Sequence, residues 1–257
     1  MNEASLRFVD LALVSSLIVA NAALSAWLQL GLARPLLIAA TRTVLQLLLV
    51  GLLLKTVFNL QSVWLLGLVM LLMFAAASHE ILSRQEPRLK GWWSLGLSSG
   101  STMLATLLAT SLALAALRPD TWLAPRVLIP LLGIILGGVM NGVSLSLNTF
   151  QSNMRRDRAA IEARLALGAT RQEALRPTVL RALRSGLIPI INQMSAAGII
   201  TLPGMMSGQI LAGMPAIEAA KYQILVLLLI AGGAGLGAIG ATLAAAWRLS
   251  DERDRLR

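Results

Sequence analysis

The chain has 257 residues, 56% of them hydrophobic and only 13% charged, and its formal net charge is +10. A soluble domain would carry about twice that charged share, so the composition excludes a soluble globular protein. Most basic residues lie just beyond the ends of apolar stretches, which is typical of a membrane protein and argues against a nucleic-acid partner.

Seven apolar stretches follow one another along the chain, each with about the 20 residues that a membrane-spanning helix needs. They predict an all-α fold, a polytopic membrane helix bundle of about seven transmembrane helices in a single domain, 1–257. Residues 20–22 resemble a signal-peptidase site, but Glu3 and Asp10 argue against a cleaved signal peptide. The predicted spans are Phe8–Leu30, Leu36–Phe58, Ser62–Leu82, Trp92–Leu117, Val127–Asn148, Leu187–Ala212 and Tyr222–Trp247.

The basic residues predict the orientation of these spans. With the C-terminus in the cytosol, seven spans place the N-terminus outside, and 17 of the 22 lysines and arginines then lie on the cytosolic side. The reverse topology would invert that ratio, against the positive-inside rule. We therefore expect a multi-pass membrane protein with its N-terminus outside and its C-terminus in the cytosol.

Four pairs of glycines in the spans have GxxxG spacing, which lets helix backbones approach closely. We expect these pairs to serve packing within the chain, with a dimer seam as the alternative. The pairs are Gly96–Gly100, Gly133–Gly137, Gly138–Gly142 and Gly233–Gly237.

Five polar side chains inside the spans are candidates for lining a pathway. Arg42 and Gln46 are one helical turn apart in span two, where snorkelling or a structural partner is favoured over a pathway role. Asn141 in span five and Asn192 and Gln193 in span six lie far from either flank. For these amides, two roles are equally supported: hydrogen bonding between helices, or lining a polar path.

Span six also contains residues that disfavour a continuous helix. A proline removes a helix donor, and two glycines weaken the turns that follow. Because a broken helix in the outer half of a membrane needs cover by protein or a cavity, we predict a gate or hinge here. Its methionines are interpreted as core filling, which is favoured over contact with a soft metal ion. The segment consists of Leu202, Pro203, Gly204, Met205, Met206, Ser207 and Gly208.

A basic stretch, Met154–Arg184, dominates the polar insert 154–186 between spans five and six. Its pattern predicts two helices joined at Gly168, which suits the left-handed position after a helix end. Thr170 and Glu173 have capping-box spacing, so the second helix should begin there. An apolar edge of Ile161, Leu165 and Leu167 should hold the first helix in place. We refer to this helix–glycine–helix unit, centred on Glu162–Gly168, as the elbow, and a cytosolic partner could dock on it.

The chain lacks the groups that would power transport by itself. There is no G-x-x-x-x-G-K-[ST] phosphate loop, and nearly all 12 carboxylates lie at span ends or in the insert. There is no cysteine and only one histidine, so neither a thiolate site nor a His-rich metal centre is expected in one copy. We predict a non-enzyme with no cofactor and no metal site of its own, which receives its energy from a partner.

Glu162, Ala163 and Gly168 match the coupling loop of ABC-transporter permeases, with Arg164 in the third place of the motif. The stretches Leu165–Thr170, Leu202–Gly213 and Lys221–Ile224, with Arg42 and Gln46 in span two, extend the likeness over essentially the whole chain. They resemble the FetB-type permeases of bacterial iron-export ABC transporters and the related aluminium-tolerance membrane proteins of plants.

The resemblance implies a permease subunit of the bacterial plasma (inner) membrane that exports iron, supporting metal homeostasis and oxidative-stress resistance. It also implies a separate ATP-binding subunit as its partner, which binds ATP and magnesium. Seven helices form a thin wall, so we expect a homodimer enclosing the pathway. The alternatives are an ion-driven secondary transporter, an ABC-type permease for a different metal or small solute, and a non-transporting ABC-type signalling protein. The expected ATPase-coupling residues are Glu162, Ala163, Leu165, Gly168, Thr170 and Glu173.

Overall fold

A computed structural model describes residues 8–60, 62–85, 92–118 and 123–248 of the chain. Over these residues the structure confirms the predicted helical membrane bundle, with one isolated β-bridge between Ala197 and Thr201. The signal-peptide argument from Glu3 lies outside the described residues. The helices are α1 (Phe8–Trp27), α2 (Ala33–Leu60), α3 (Val63–Ser83), α4 (Trp92–Leu117), α5 (Pro125–Arg156), α6 (Arg158–Ala166), α7 (Arg171–Ala196), α8 (Gly204–Leu211) and α9 (Ala216–Arg248).

The chain forms two compact units, Met1–Gln61 and Ser62–Arg257. In the first, α1 packs on α2 through a tight turn in which the Leu30 N–H donates to the Ser25 carbonyl at 2.9 Å. In the second, α5 packs against α3, α4, α7 and α9, and it is the most extensively buried of the membrane-length helices. The expectation of a single domain remains a prediction.

Two of the four glycine pairs form the contact at the centre of the second unit, which confirms their predicted role within the chain. A Cβ added at Gly138 would lie 2.3 Å from Ile230 Cγ2, and one at Gly237 would lie 2.8 Å from Val139 Cγ1. Cβ atoms added at the other members of these two pairs, Gly142 and Gly233, would also lie close to side chains of the opposing helix. Added Cβ atoms at Gly96, Gly100 and Gly137 meet nothing within 4 Å, so those glycines are not needed for close packing here.

Six of the described helices are long and apolar enough to cross a membrane. The predicted sixth span, Leu187–Ala212, is wrong as one helix, because α7 ends at Ala196 and α8 starts at Gly204. The span also has no separate beginning. Its first residues continue the second helix of the insert, since α7 runs unbroken from Arg171 through Pro177 and Pro189.

The segment made of α7, the break after it and α8 nevertheless extends along the full length of α9. At one end, a guanidinium nitrogen of Arg171 (Nη2) donates to the carbonyl of Ala246 at 2.7 Å, beside the C-terminus of α9. At the other end, only four residues separate α8 from the start of α9 at Ala216. Helix α9 has 33 residues and is therefore about 50 Å long. Together α7, the break and α8 thus cover the distance that a membrane-spanning helix covers.

Candidate functional site

The elbow is an ordered structure of helix α6, a tight turn and the start of α7. Gly168 has φ +89°, the left-handed position predicted for it. The Gly168 N–H donates to the Leu165 carbonyl at 3.0 Å and the Ala169 N–H to the Arg164 carbonyl at 3.1 Å. This is the paired hydrogen-bond pattern of a Schellman motif, which fixes the direction in which the chain leaves α6.

The predicted capping box at the start of α7 is also confirmed. The backbone N–H of Thr170 donates to Glu173 Oε2 at 2.8 Å, and the N–H of Glu173 donates to Thr170 Oγ1 at 3.4 Å. Hydrogen bonds from the Thr170 hydroxyl and backbone lower the pKa of Glu173 below its ordinary value. The stabilisation from this carboxylate is therefore present at neutral pH and is lost as the pH falls through the lowered pKa.

The elbow presents a mixed polar and apolar surface. Ile161 is fully buried and anchors α6, and Leu165 is half-buried, as predicted for the apolar edge. Leu167 differs from that prediction, because its side chain is 88% exposed at the end of α6. Glu162 is also exposed and pairs with Arg158 at 2.8 Å, one helical turn away. The four other predicted coupling residues, Ala163, Gly168, Thr170 and Glu173, are exposed as well.

Three arginines connect the elbow and α7 to neighbouring helices within the second unit, and the sequence analysis did not assign these contacts. Arg171 donates to the carbonyls of Ala246 and Trp247 at the C-terminus of α9. Arg164 donates to the Ala174 carbonyl at 3.3 Å. The side chain of Arg181 on α7 forms an ion pair with Asp157, at the junction of α5 and α6.

Asp157 is the acidic centre of this junction. Its partial desolvation raises the pKa, but hydrogen bonds from Arg156 and Arg181 together with their positive charges outweigh that effect, so the pKa is lowered. The carboxylate is therefore charged at neutral pH and holds α7 against the end of α5. The sequence offered one signal for this contact, an acidic residue directly after a run of arginines.

The break in the sixth apolar stretch differs from its prediction in position and cause. It covers residues 197–203, and Gly198 has φ +84° there. The Gly198 N–H donates to the Thr201 carbonyl at 2.9 Å, and the N–H groups of Ile200 and Thr201 both donate to the Ala196 carbonyl. Pro203 is the N-cap of α8 and so ends the break. The glycines expected to break the helix, Gly204 and Gly208, both lie inside α8.

The remaining predicted pathway residues are distributed over three helices. Leu202 precedes α8 and is exposed, while Met205, Met206 and Ser207 are half-buried on α8. Asn141 on α5 and Asn192 and Gln193 on α7 are exposed. Among the described residues, no hydrogen bond connects the side chains of these three amides to one another. Hydrogen bonding between helices, one of their two predicted roles, is therefore not observed among the residues that the structure describes.

Arg42 and Gln46 lie in the first unit, on one face of α2, where they line a shallow groove with Thr41. Nothing in the structure tests a pathway role for them. Among the described residues there is no group of three or more His, Cys, Asp or Glu side chains that could hold a metal ion.

Comparison with known sequences places the chain among membrane proteins. The profile of the family described as Uncharacterised protein family (UPF0014) matches residues 8–249. A UPF0014 membrane protein of Synechocystis sp. is 39% identical over 230 residues, 88% of this chain and 86% of the relative.

Two further relatives have names that describe a role. The Probable iron export permease protein FetB of Escherichia coli is 29% identical over 243 residues, 93% of this chain and 90% of the relative. Protein ALUMINUM SENSITIVE 3 of Arabidopsis thaliana is 30% identical over 215 residues, 83% of this chain and 76% of the relative. No solved structure matches the chain.

Proposed function

The chain belongs to the UPF0014 family of membrane proteins, and from that premise we propose that it is the membrane-spanning permease subunit of an ATP-driven iron exporter. Iron export is the role named for the Escherichia coli relative, which is similar to this chain over nearly its full length. The chain itself carries out no bond chemistry. ATP and magnesium bind to a separate ATP-binding subunit.

The observation that carries this proposal is the elbow. Its turn is fixed by Gly168 and the capping box, yet Leu167 is 88% exposed in the middle of a basic surface. A large apolar side chain held in a fixed position outside the spans is typical of a contact with another protein. Because the chain has no phosphate-binding loop, the partner that supplies energy is the protein best suited to this surface.

The arginine contacts supply a route from the elbow into the membrane. Arg171 ties the start of α7 to the C-terminus of α9, and Arg181 ties α7 to the end of α5. Rigid secondary elements joined by charged hydrogen bonds move together. Approach of two ATP-binding subunits would therefore displace α7 and α9 as one body and act on the break at residues 197–203.

Two copies of the chain form the transporter in this proposal. The break exposes Ile199 and Ile200 by 90% and 80%, and the amides Asn141, Asn192 and Gln193 are exposed too. Irregular backbone is not tolerated against lipid hydrocarbon and needs cover by protein or a water-filled cavity. A second copy supplies that cover and leaves a path between the copies that the amides can line.

The elbow lies on the cytosolic side of the bacterial inner membrane, with the N-terminus outside. Support comes from the 17 of 22 basic residues that this orientation places inside. It also comes from residues 171–216, which extend along the length of α9 and therefore count as one membrane crossing. The total number of crossings thus remains odd, as the predicted orientation requires.

Iron transport into inside-out membrane vesicles tests the proposal. Vesicles with this chain and its ATP-binding subunit are expected to take up ferrous ion when ATP is added, and vesicles with either subunit alone are not. Collapse of the proton gradient should leave the initial rate unchanged. Equal uptake without the ATP-binding subunit would contradict the proposal and favour an ion-driven transporter.

A further inference from the structure

A column of buried hydroxyl groups runs along one face of α4. Thr102, Thr106 and Thr110 are each at most 3% exposed, and the hydroxyl of each has no hydrogen-bond partner. Their spacing of four residues aligns them on one side of the helix, and the buried Ser98 extends the row by one turn. We call Ser98, Thr102, Thr106 and Thr110 the hydroxyl column. It is about 18 Å long and begins where the membrane-length part of α4 begins.

The three threonine hydroxyls do not donate a hydrogen bond to the carbonyl four residues earlier in their own helix, although a helix provides that acceptor. On α2, Thr41 and Thr43 donate to the carbonyls of Leu37 and Ala39, four residues earlier, at 2.9 and 2.8 Å. The three threonines are instead buried where α4 packs among α3, α5 and α9. An unpaired buried hydroxyl destabilises the folded chain, and valine would fill the same space without that cost.

The contact between α4 and α9 is made of small side chains. A Cβ added at Gly233 would lie 3.3 Å from Ala109 Cβ, and one at Gly237 would lie 3.5 Å from Ala105 Cβ. Such a flat contact holds the helices close without interlocking large side chains. The two helices can therefore separate without rearranging large side chains, and separation would open the buried face of α4 beside this contact to water.

The chemistry of the column limits what it can contact. Hydroxyl oxygens carry no charge, and the described residues contain no cluster of His, Cys, Asp or Glu to offset the charge of a bare ion. A divalent cation stripped of water would not be stable there. Hard cations keep several of their waters, however, and hydroxyls accept and donate hydrogen bonds to such a shell.

We propose that α4 separates from α9 during transport and that the hydroxyl column lines the path of a hydrated divalent cation, contacting it through the ion's own waters. This inference rests on the proposed export function and names the form in which the ion moves. It places part of the path inside one chain, between α4 and its neighbours.

The test compares two triple variants in cells that lack their own copy of the chain. Thr102→Val/Thr106→Val/Thr110→Val keeps the shape and removes the hydroxyls, and Thr102→Ser/Thr106→Ser/Thr110→Ser keeps the hydroxyls. After loading with ferrous ion, the valine variant is expected to export iron about tenfold more slowly or worse, the consequence of losing hydrogen bonds along the path. The serine variant should export at close to the normal rate. The control is Thr43→Val, which removes a hydroxyl that bonds within its own helix and should also export normally.

Thermal unfolding in detergent distinguishes a variant that folds but transports poorly from a variant that does not fold. The valine variant should unfold at the wild-type temperature or above it, because unpaired hydroxyls have been removed from an apolar site. If it does not reach the membrane, Thr106→Val alone replaces it and should slow export severalfold. Excess Mn²⁺, which keeps a similar water shell, should slow iron export by the wild type.

Each outcome decides the inference. Normal export by the valine variant overturns it, and so does loss of export in the serine variant, which would assign the effect to packing. Absence of competition by Mn²⁺ contradicts contact through water. If the wild type exports no iron, the proposed function is wrong and the inference is wrong with it. If the wild type and the valine variant export iron equally well, only the inference is wrong.

Discussion

Gly168→Val and Glu162→Arg are each expected to abolish ATP-driven export while the chain still inserts and folds. Gly168 has φ +89°, and an added Cβ meets no atom within 4 Å, so the cost of valine comes from the backbone conformation and not from a clash. Left-handed backbone costs about 1–2 kcal/mol for a residue with a side chain, and a β-branched one fits it worst. The direction of the elbow should change and its contact with the ATP-binding subunit should be lost.

The Glu162 substitution acts on the surface of the elbow and not on its shape. Its carboxylate is half-exposed and its pairing with Arg158 is a solvent-exposed one, which contributes little to folding. Reversal of the charge beside Leu167 should instead repel a partner that fits the present surface. Both variants should lose at least about 90% of iron-stimulated ATP hydrolysis in the purified complex, a tenfold effect that corresponds to the loss of a few contact residues.

Matched variants separate these causes. Asparagine is tolerated in the left-handed region, so Gly168→Asn should retain coupling. Glu162→Gln removes the charge without reversing it and should have an intermediate effect. If Gly168→Val and Glu162→Arg leave ATP hydrolysis and export at wild-type rates, the elbow is not the coupling site.

The second large effect is expected at the break before α8. Gly198→Val should stop export, because φ is +84° there and the turn of residues 197–203 depends on that conformation. No atom lies within 4 Å of an added Cβ, so folding of the rest of the chain should survive. The measurement is intracellular iron after loading, together with sensitivity to peroxide.

The control for the break is the pair Gly204→Ala/Gly208→Ala. Both glycines lie in α8 and have open space around the new methyl groups. Alanine should stabilise α8, by about 1 kcal/mol at the interior position Gly208, and leave the break in place. Export by this double variant should be normal. Loss of export there, with normal export by Gly198→Val, would show that α8 and not the turn is the moving part.

What the sequence predicted correctly is what short-range chemistry decides. The capping box depends on Thr170 and Glu173 alone, and the left-handed Gly168 depends on one helix end. The glycine pairs of α5 and α9 were predictable because close helix approach needs small residues at fixed spacing. Apolar length predicted six of the seven spans as membrane-length helices.

What the sequence did not predict depends on contacts between distant segments. Pro203 and the glycines after it were expected to break the helix, but helix α7 ends at Ala196 and the turn forms around Gly198. Proline is tolerated near the start of a helix, and the break is therefore displaced to the residues before it. The contact of Arg171 with the end of α9 joins residues 75 positions apart, so no local pattern announced it.

Cross-linking from single cysteines tests the central claim, that the elbow faces the cytosol and holds an ATP-binding subunit. The chain has no cysteine, so one introduced at Leu167 or at Ala216 is unique, and both positions are exposed. The account predicts that the cysteine at Leu167 cross-links to the ATP-binding subunit and resists an impermeant thiol reagent in intact cells, while the one at Ala216 reacts with the reagent and forms no cross-link. Labelling of the Leu167 cysteine from outside, or cross-linking from Ala216 instead, would contradict it.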